Sequence, residues 1–484
     1  MATAARSPPA GVTEAPPARR TSLSGRVRSG CITCKSRKKK CDERYSGDPS
    51  CCESCSRLGL ICEREALRKV PPRPSRRRKP PSTVPPPAEG NTHLPPQTAL
   101  PIADSVQPHP FMSIYSSKKT STERLLLKYY VGKLAALCSI VPGESNGFVT
   151  VLLPMAMDDL ALLYALFTYA SVHLSITAHQ TAVSATAQLE YQSEAARTLS
   201  EDIGRNTVSD SSIACALICC AADFTNGDTE RWILHLRGAG QLISMRGGAE
   251  RLGQTSDGRF LLRNFAYHDI LSAVSSGGRP HMNGVYWNRD SEPSMDALMG
   301  IADGLFGLIS EVCTLIADVK DSLLSEDLTC DHISRGETLA HRLRVQLCTP
   351  PTPSAGADWL TLSYHAEAYR YASLLLLYHL MSDLSPVYLL EISECVEKIV
   401  YYASVIPPDS TADAGLVFPL FMAGVGAVFG GPIDFIRERL NSIYNRTKFG
   451  HIAKVLELLE NMWSMGRTDW VVLLDELGWK ISLA

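Results

Sequence analysis

CITCKSRKKKCDERYSGDPSCCESCSRLGLIC, residues 31–62, holds seven of the chain's 15 cysteines and threads five basic residues between the second and third of them. The stretch is an internal repeat. Cys31-x2-Cys34-x6-Cys41 is followed, after ten residues, by Cys52-x2-Cys55-x6-Cys62. Each half offers a closely spaced sulfur pair that can grip one metal, then a third sulfur about two helical turns on. Three thiolates do not complete a tetrahedral zinc site. Two zincs need eight ligand positions, and six cysteines fill them only if two bridge. The arithmetic therefore favours a binuclear cluster with one bridge per half. Cys51 is the surplus residue, because using it in place of Cys52 makes the second half Cys-x3-Cys and breaks the repeat.

The surrounding sequence decides how these thiols are read. The opening MATAARSPPAGVTEAPPARR lacks the apolar core of a secretory leader. Without a sign of secretion, clustered cysteines read as metal ligands rather than disulfides. The alternatives are a disulfide knot or a one-zinc ribbon. A ribbon or RING-type site leaves two cysteines unused or calls for other ligands, usually including His, and residues 31–62 contain no His.

Charge is distributed unevenly. The 484 residues carry a formal net charge of −2, but residues 1–80 hold 20 Lys+Arg against 7 Asp+Glu, a net +13, and the remainder carries −15. A basic head on an acidic body points to a polyanionic partner for the head. Six thiolates and two zinc ions sum to −2, so one role for the lysines is charge balance. The sharper role is DNA contact. A short helix from Cys34 to Lys40, tied to metal at both ends, would present Lys35, Arg37, Lys38, Lys39 and Lys40 in set directions. Such a helix can enter a major groove, where Lys or Arg reads guanine O6 and N7 while its neighbours bind phosphate.

The residues CITCKSRKKKC and CESCSRLGLIC resemble the fungal-type zinc binuclear-cluster domain of transcription factors. The resemblance implies two zinc ions, with the bridging positions falling on Cys31 and Cys52. One zinc is then held by Cys31, Cys34, Cys41 and Cys52, the other by Cys52, Cys55, Cys62 and Cys31. It also implies base reading chiefly by Lys38, with CGG-type triplets in double-stranded DNA as target.

Residues 71–110 contain 13 of the chain's 30 prolines and read as an extended or disordered linker. Within it Arg76, Arg77, Arg78 and Lys79 form a basic tetrad. Beside a DNA-binding module this reads as a nuclear-localisation signal or an extra phosphate contact, the plainer reading being a solvated charge run. No sustained heptad pattern is evident near residues 63–120, so a coiled-coil dimeriser is not expected there.

From about Ser121 the pattern changes to long apolar segments of helical period. STERLLLKYYVGKLAAL opens as a capping box on Ser121 or Thr122, and hairpin signals are scarce. The expectation for residues 120–484 is an all-α domain. The segments LLPMAMDDLALLYALFTYASVHL and WILHLRGAGQLISMRGG, with FPLFMAGVGA, FIRERLNSI and VLELLENMWSMGRTDWVVLLDELGW further on, resemble the fungal-specific transcription factor domain in its arginine-regulator-like branch. The resemblance implies a regulatory body that senses partners or metabolites.

Rival chemistries are weak. GESNG, Gly143 to Gly147, matches a nucleophile elbow at Ser145, but a helical stretch precedes it where a strand is needed. GAGQLI, Gly238 to Ile243, lacks the third glycine and preceding strand of a nucleotide fingerprint. Trp232 and His235 read as packing or capping groups. Cys215, Cys219 and Cys220 read as buried thiols on an apolar helix. Ala414 to Ile433 is uncharged, but its two prolines and five glycines favour a buried helix-and-turn over a membrane span.

The sequence therefore predicts a disordered tail over 1–25, a zinc module over 26–66, a basic Pro-rich linker over 67–119 and a helical regulatory domain over 120–484. The function expected is a nuclear, non-enzymatic, sequence-specific regulator of RNA polymerase II transcription. Its partners would be DNA, the transcription machinery or co-regulators, and a second factor in a homodimer or heterodimer, with no membrane. A chain this short, with this body type, suits a single pathway. A secondary-metabolite gene cluster is the reading preferred, and nitrogen or amino-acid metabolism the alternative. A zinc-stabilised adaptor that binds no DNA is the rival of another class.

Overall fold

The computed structural model describes residues 31, 34, 41, 52–57, 120–141, 146–177, 183–282, 286, 295–324, 330–348, 358–384, 386–428 and 430–484. The chain divides into two compact units, Met1–Lys118 and Lys119–Ala484. In the first, helix α1 (Glu53–Arg57) starts directly after Cys52, whose carbonyl accepts from the amides of Cys55 and Ser56 at 3.1 and 2.9 Å.

The second unit is helical, and among its described residues there is no strand, only an isolated bridge between Asp296 and Gly300. Helix α2 (Ser121–Tyr129) is capped by Thr120, not by Ser121 or Thr122. The Thr120 hydroxyl accepts from the Glu123 amide at 3.2 Å, and a Glu123 carboxylate oxygen accepts from the Thr120 amide at 2.7 Å. A capping box needs an acceptor side chain three residues on, which Glu123 supplies to Thr120, whereas Arg124 and Leu125 are what Ser121 and Thr122 would find.

Short helices α3 (Gly147–Thr150) and α4 (Leu152–Asp158) lead into α5 (Leu160–Thr177). This helix is apolar on every side. It is long and apolar enough to cross a membrane, yet 67% of it is buried inside the unit, against α2, α6 (Ala185–Gly204) and α7 (Asp210–Thr225). Hydrophobicity all round is what a central helix requires, since it has no face for solvent. The sequence α8 (Trp232–Met245), α9 (Gly248–Leu252) and α10 (Ser256–Ser276) packs onto α7 and then passes to α11 (Asp303–Leu324). A second central helix, α13 (Trp359–Leu384), is surrounded by α11, α12 (Cys330–Val345), α14 (Leu389–Val405) and α15 (Val417–Gly426). The chain closes with α16 (Gly430–Thr447), α17 (Gly450–Met465) and α18 (Trp470–Leu477). Ala414 to Ile433 is thus broken between α15 and α16, as its prolines and glycines require.

An aromatic ladder ties α10, α11, α13 and α15 together. Tyr267, Phe306, Tyr369 and Phe418 follow one another at centroid separations of 5.4, 5.4 and 5.5 Å. Tyr369 donates to the Gly415 carbonyl at 2.9 Å, so this polar edge is satisfied within the core. Asp413, fully buried, accepts from Arg439 at 2.8 Å and Arg446 at 2.9 Å, which joins α16 to the segment before α15. Five histidines, His173, His268, His332, His365 and His451, are also buried. Gly450 lets the start of α17 approach the end of α7. A Cβ there would meet Gly227 N at 2.6 Å and Thr225 O at 2.7 Å.

Candidate metal centre and nucleic-acid interface

The repeat brings its sulfurs together as the spacing anticipates. The Cys34 amide donates to Cys31 Sγ at 3.3 Å, which folds the first Cys-x2-Cys pair around one point. Helix α1 does the same for the second, placing Cys55 one turn after Cys52. Cys31, Cys34, Cys52 and Cys55 are buried, and their sulfurs all lie within 4.8 Å of one another. Four edges of this group are short. Cys31–Cys52 is 3.7 Å, and Cys31–Cys55, Cys34–Cys52 and Cys34–Cys55 are each 3.8 Å. Cys41 Sγ lies 3.8 Å from Cys31 Sγ.

These lengths carry chemical information. A disulfide holds its sulfurs at about 2.05 Å, so none of these contacts is one. A tetrahedron with zinc–sulfur bonds of about 2.3 Å has sulfur–sulfur edges of about 3.8 Å. The donor set and its edges therefore fit zinc. As thiols, Cys34 and Cys55 resist ionisation. Burial, then hydrogen bonding with Cys31, pushes Cys34 up to about 12, and burial with the neighbouring sulfurs raises Cys55 further. A dication reverses this, since a coordinating thiol is deprotonated outright.

Cys51, Cys62, the basic residues Lys35, Arg37, Lys38, Lys39 and Lys40, and the tetrad Arg76, Arg77, Arg78 and Lys79 lie outside the described residues, as do the tail and the Pro-rich linker. The short Cys34–Cys55 edge was not legible in the sequence, because in the bridged scheme these two residues serve different metals.

The rival sites of the helical unit resolve into structural roles. Gly238 to Ile243 lies inside α8, so no phosphate-binding loop exists there. Trp232 is buried, and its indole donates to the Lys480 carbonyl at 2.7 Å. His235 approaches Asp223 at 3.5 Å, and burial lowers its pKa. Cys215 and Cys220 are buried on α7, with Cys219 half-buried. Ser145 lies outside the described residues, and Asn146 caps α3 through the Phe148 amide at 3.0 Å.

The family profile described as fungal specific transcription factor domain matches residues 124–484. The chain belongs to that family. It is a transcription factor, and its four-cysteine group is consistent with the six-cysteine zinc module of such regulators. Among curated proteins it is similar to an uncharacterized transcriptional regulatory protein of Schizosaccharomyces pombe, 22% identical over 400 residues, covering 78% of this chain and 73% of that one. It is similar to the transcriptional activator protein UGA3 of Saccharomyces cerevisiae, 22% identical over 551 residues, covering 94% and 97%. The transcriptional regulatory protein pro1 of Neurospora crassa is 49% identical over 51 residues, covering 10% of this chain and 7% of that protein. These relatives are named as regulators, not as enzymes. No solved structure matches the chain significantly.

Proposed function

We propose that the protein is a nuclear, non-enzymatic, sequence-specific regulator of RNA polymerase II transcription whose residues 26–66 bind two zinc ions and read DNA. The observation that carries this is the sulfur group, in which Cys31–Cys52, Cys31–Cys55 and Cys34–Cys52 stand 3.7–3.8 Å apart, the edge length of a zinc tetrahedron. In this reading Cys31 and Cys52 bridge, Cys34 and Cys41 complete one site, and Cys55 and Cys62 complete the other. The contact of Cys41 with Cys31 supports the first of these sites. Zinc supplies the folding energy that so short a segment cannot obtain from an apolar core.

The cluster orients Lys38, one helical turn past Cys34, toward a guanine edge of a CGG-type triplet. Lys35, Arg37, Lys39 and Lys40 bind phosphate, and Arg76 to Lys79 direct nuclear entry across the 67–119 linker. Residues 120–484 serve regulation and meet the transcription machinery, and a second copy or another factor supplies the second half-site. The pathway we favour is a secondary-metabolite gene cluster, ahead of nitrogen or amino-acid metabolism.

A second reading has one observation of its own. Cys34 and Cys55 stand 3.8 Å apart, so Cys31, Cys34, Cys52 and Cys55 can enclose a single zinc. Metal stoichiometry separates the two. The test of DNA reading is a titration of the full chain against CGG-containing and scrambled duplexes at several salt concentrations. Lys38→Ala should cost about 1–3 kcal/mol on the cognate duplex and flatten the preference. Lys35→Ala should weaken both duplexes alike and lower the salt slope by about one. Equal affinity of the wild type for both duplexes would instead favour the adaptor.

A further inference from the structure

A pocket of about 370 Å³ opens where the end of α12, the middle of α13 and the first turns of α14 meet. Its floor is apolar. Leu374 and Tyr378, one turn apart on α13, and Cys395 on α14 are all buried there. Its walls carry opposite charges that do not meet. On one side Arg344, in the last turn of α12, donates to the Tyr378 hydroxyl and lies over that ring at 5.8 Å. On the other side Glu391 and Glu394 stand three residues apart on one face of α14. Among the described residues no ion pair within 4.0 Å links Arg344 to either glutamate. The other arginine of the pocket, Arg370, is already held by both Glu367 oxygens at 3.1 Å and by the Leu343 carbonyl.

Glu391 is the informative residue. Its Oε2 is buried and has no hydrogen-bond partner. A buried acceptor without a donor costs stability. Its place in the first turn of α14 supplies no donor to that oxygen. A missing donor on one wall and a guanidinium without a carboxylate on the other describe the two ends of one ligand.

We infer that this pocket binds a small zwitterion of the α-amino acid class. The ligand carboxylate meets the planar fork of Arg344. The ammonium donates to Glu391 and Glu394, and the side chain lies on Leu374, Tyr378 and Cys395. The volume falls in the range of about 300–1,000 Å³ that small-ligand sites occupy. This inference goes beyond the DNA-binding reading and does not rest on it, since the site lies wholly in the helical unit.

The experiment is isothermal titration calorimetry of the full chain with each of the twenty L-α-amino acids, and with propionate and propylamine, which carry one head group each. At least one amino acid should bind with one-to-one stoichiometry, and neither single-headed compound should match it. Arg344→Ala and Glu394→Gln should each weaken binding at least tenfold. Both side chains are exposed, so both variants should remain folded, Arg344→Ala losing in addition the contact with Tyr378, and circular dichroism checks this. Heat from none of the amino acids would overturn the inference. So would affinity unchanged in both variants, or propionate binding as tightly as the best amino acid, which would mark an anion site.

Discussion

Acidification should destabilise the helical unit, and buried histidines, His268, His365 and His451 among them, set the range. Burial lowers His268 and His365 from 6.5 to about 4. His451 falls to about 3, through burial and then the neighbouring His268. Phe224 packs against His268 and His451 at 5.3 and 5.0 Å, and Tyr369 against His365 at 4.7 Å, so aromatic rings rather than water surround these imidazoles. Above pH 6.5 both folded and unfolded chains hold them neutral, and stability does not depend on them. Below 6.5 the unfolded chain takes up protons that the native state refuses until its own lowered values are reached. Stability is therefore present above 6.5 and is lost as pH falls toward 4. At pH 5 each histidine should cost about 2 kcal/mol, and the three together about 6 kcal/mol. That is a large part of the roughly 5–15 kcal/mol by which domains are stable. Asp223, Asp303 and Asp413, raised chiefly by burial, act with the opposite sign and return part of this loss toward the lower end of the range. The assay is urea unfolding followed by far-ultraviolet circular dichroism between pH 8 and 4.5. Near pH 5.5 the unfolded state should hold about 2.6 more protons than the native state through these residues, a slope of nearly 4 kcal/mol per pH unit. His365→Gln should remove close to one proton from that slope, whatever it does to stability at pH 8. A wild-type stability that is flat from pH 7 to 5, or a variant with the wild-type slope, would refute the reasoning.

The zinc module should bind two zinc ions per chain by atomic absorption, and Cys52→Ser, at a sulfur within 3.8 Å of both Cys31 and Cys34, should abolish metal binding while Cys51→Ser leaves it unchanged. One zinc per chain would select the four-sulfur alternative. Gly450→Ala should destabilise the helical unit by about 1–3 kcal/mol in chemical denaturation, because the new Cβ meets backbone atoms of Thr225 and Gly227 that cannot move aside as a flexible side chain does. Asp413→Ala should cost about 3 kcal/mol or more in the same assay, since it leaves Arg439, nearly buried, without its counter-charge.

The clustering of four cysteines was legible in sequence because its information is local. Metal ligands must recur at spacings that bend the chain around one point, so the spacing of Cys31, Cys34, Cys52 and Cys55 is enough to predict that their sulfurs meet, as they do. The helical character of residues 120–484 was legible for a similar reason, since apolar residues at helical period have few other uses. Even there, local signals shifted by a residue, with the cap on Thr120 instead of Ser121 or Thr122. Composition alone also could not separate a membrane-length helix from a core helix. Leu160–Thr177 has the length and apolarity of either, and only the helices packed around it identify it as core.

What tertiary structure decided is every relation between residues far apart in the chain. Nothing in the pattern around His268, His365 and His451 marks them as buried in a shared core. Asp413 gives no sign in sequence that Arg439 and Arg446 will close on it. Arg344 and Glu391 are separated by more than forty residues, and no motif links them. Their apposition across a pocket depends on how α12, α13 and α14 pack. The Cys34–Cys55 contact is the same kind of fact inside the cysteine repeat. Spacing states which sulfurs can share a metal within each half. Which sulfurs meet across the halves is set by how the two halves fold onto one another, because that contact depends on the path of the whole chain and not on any one stretch of it.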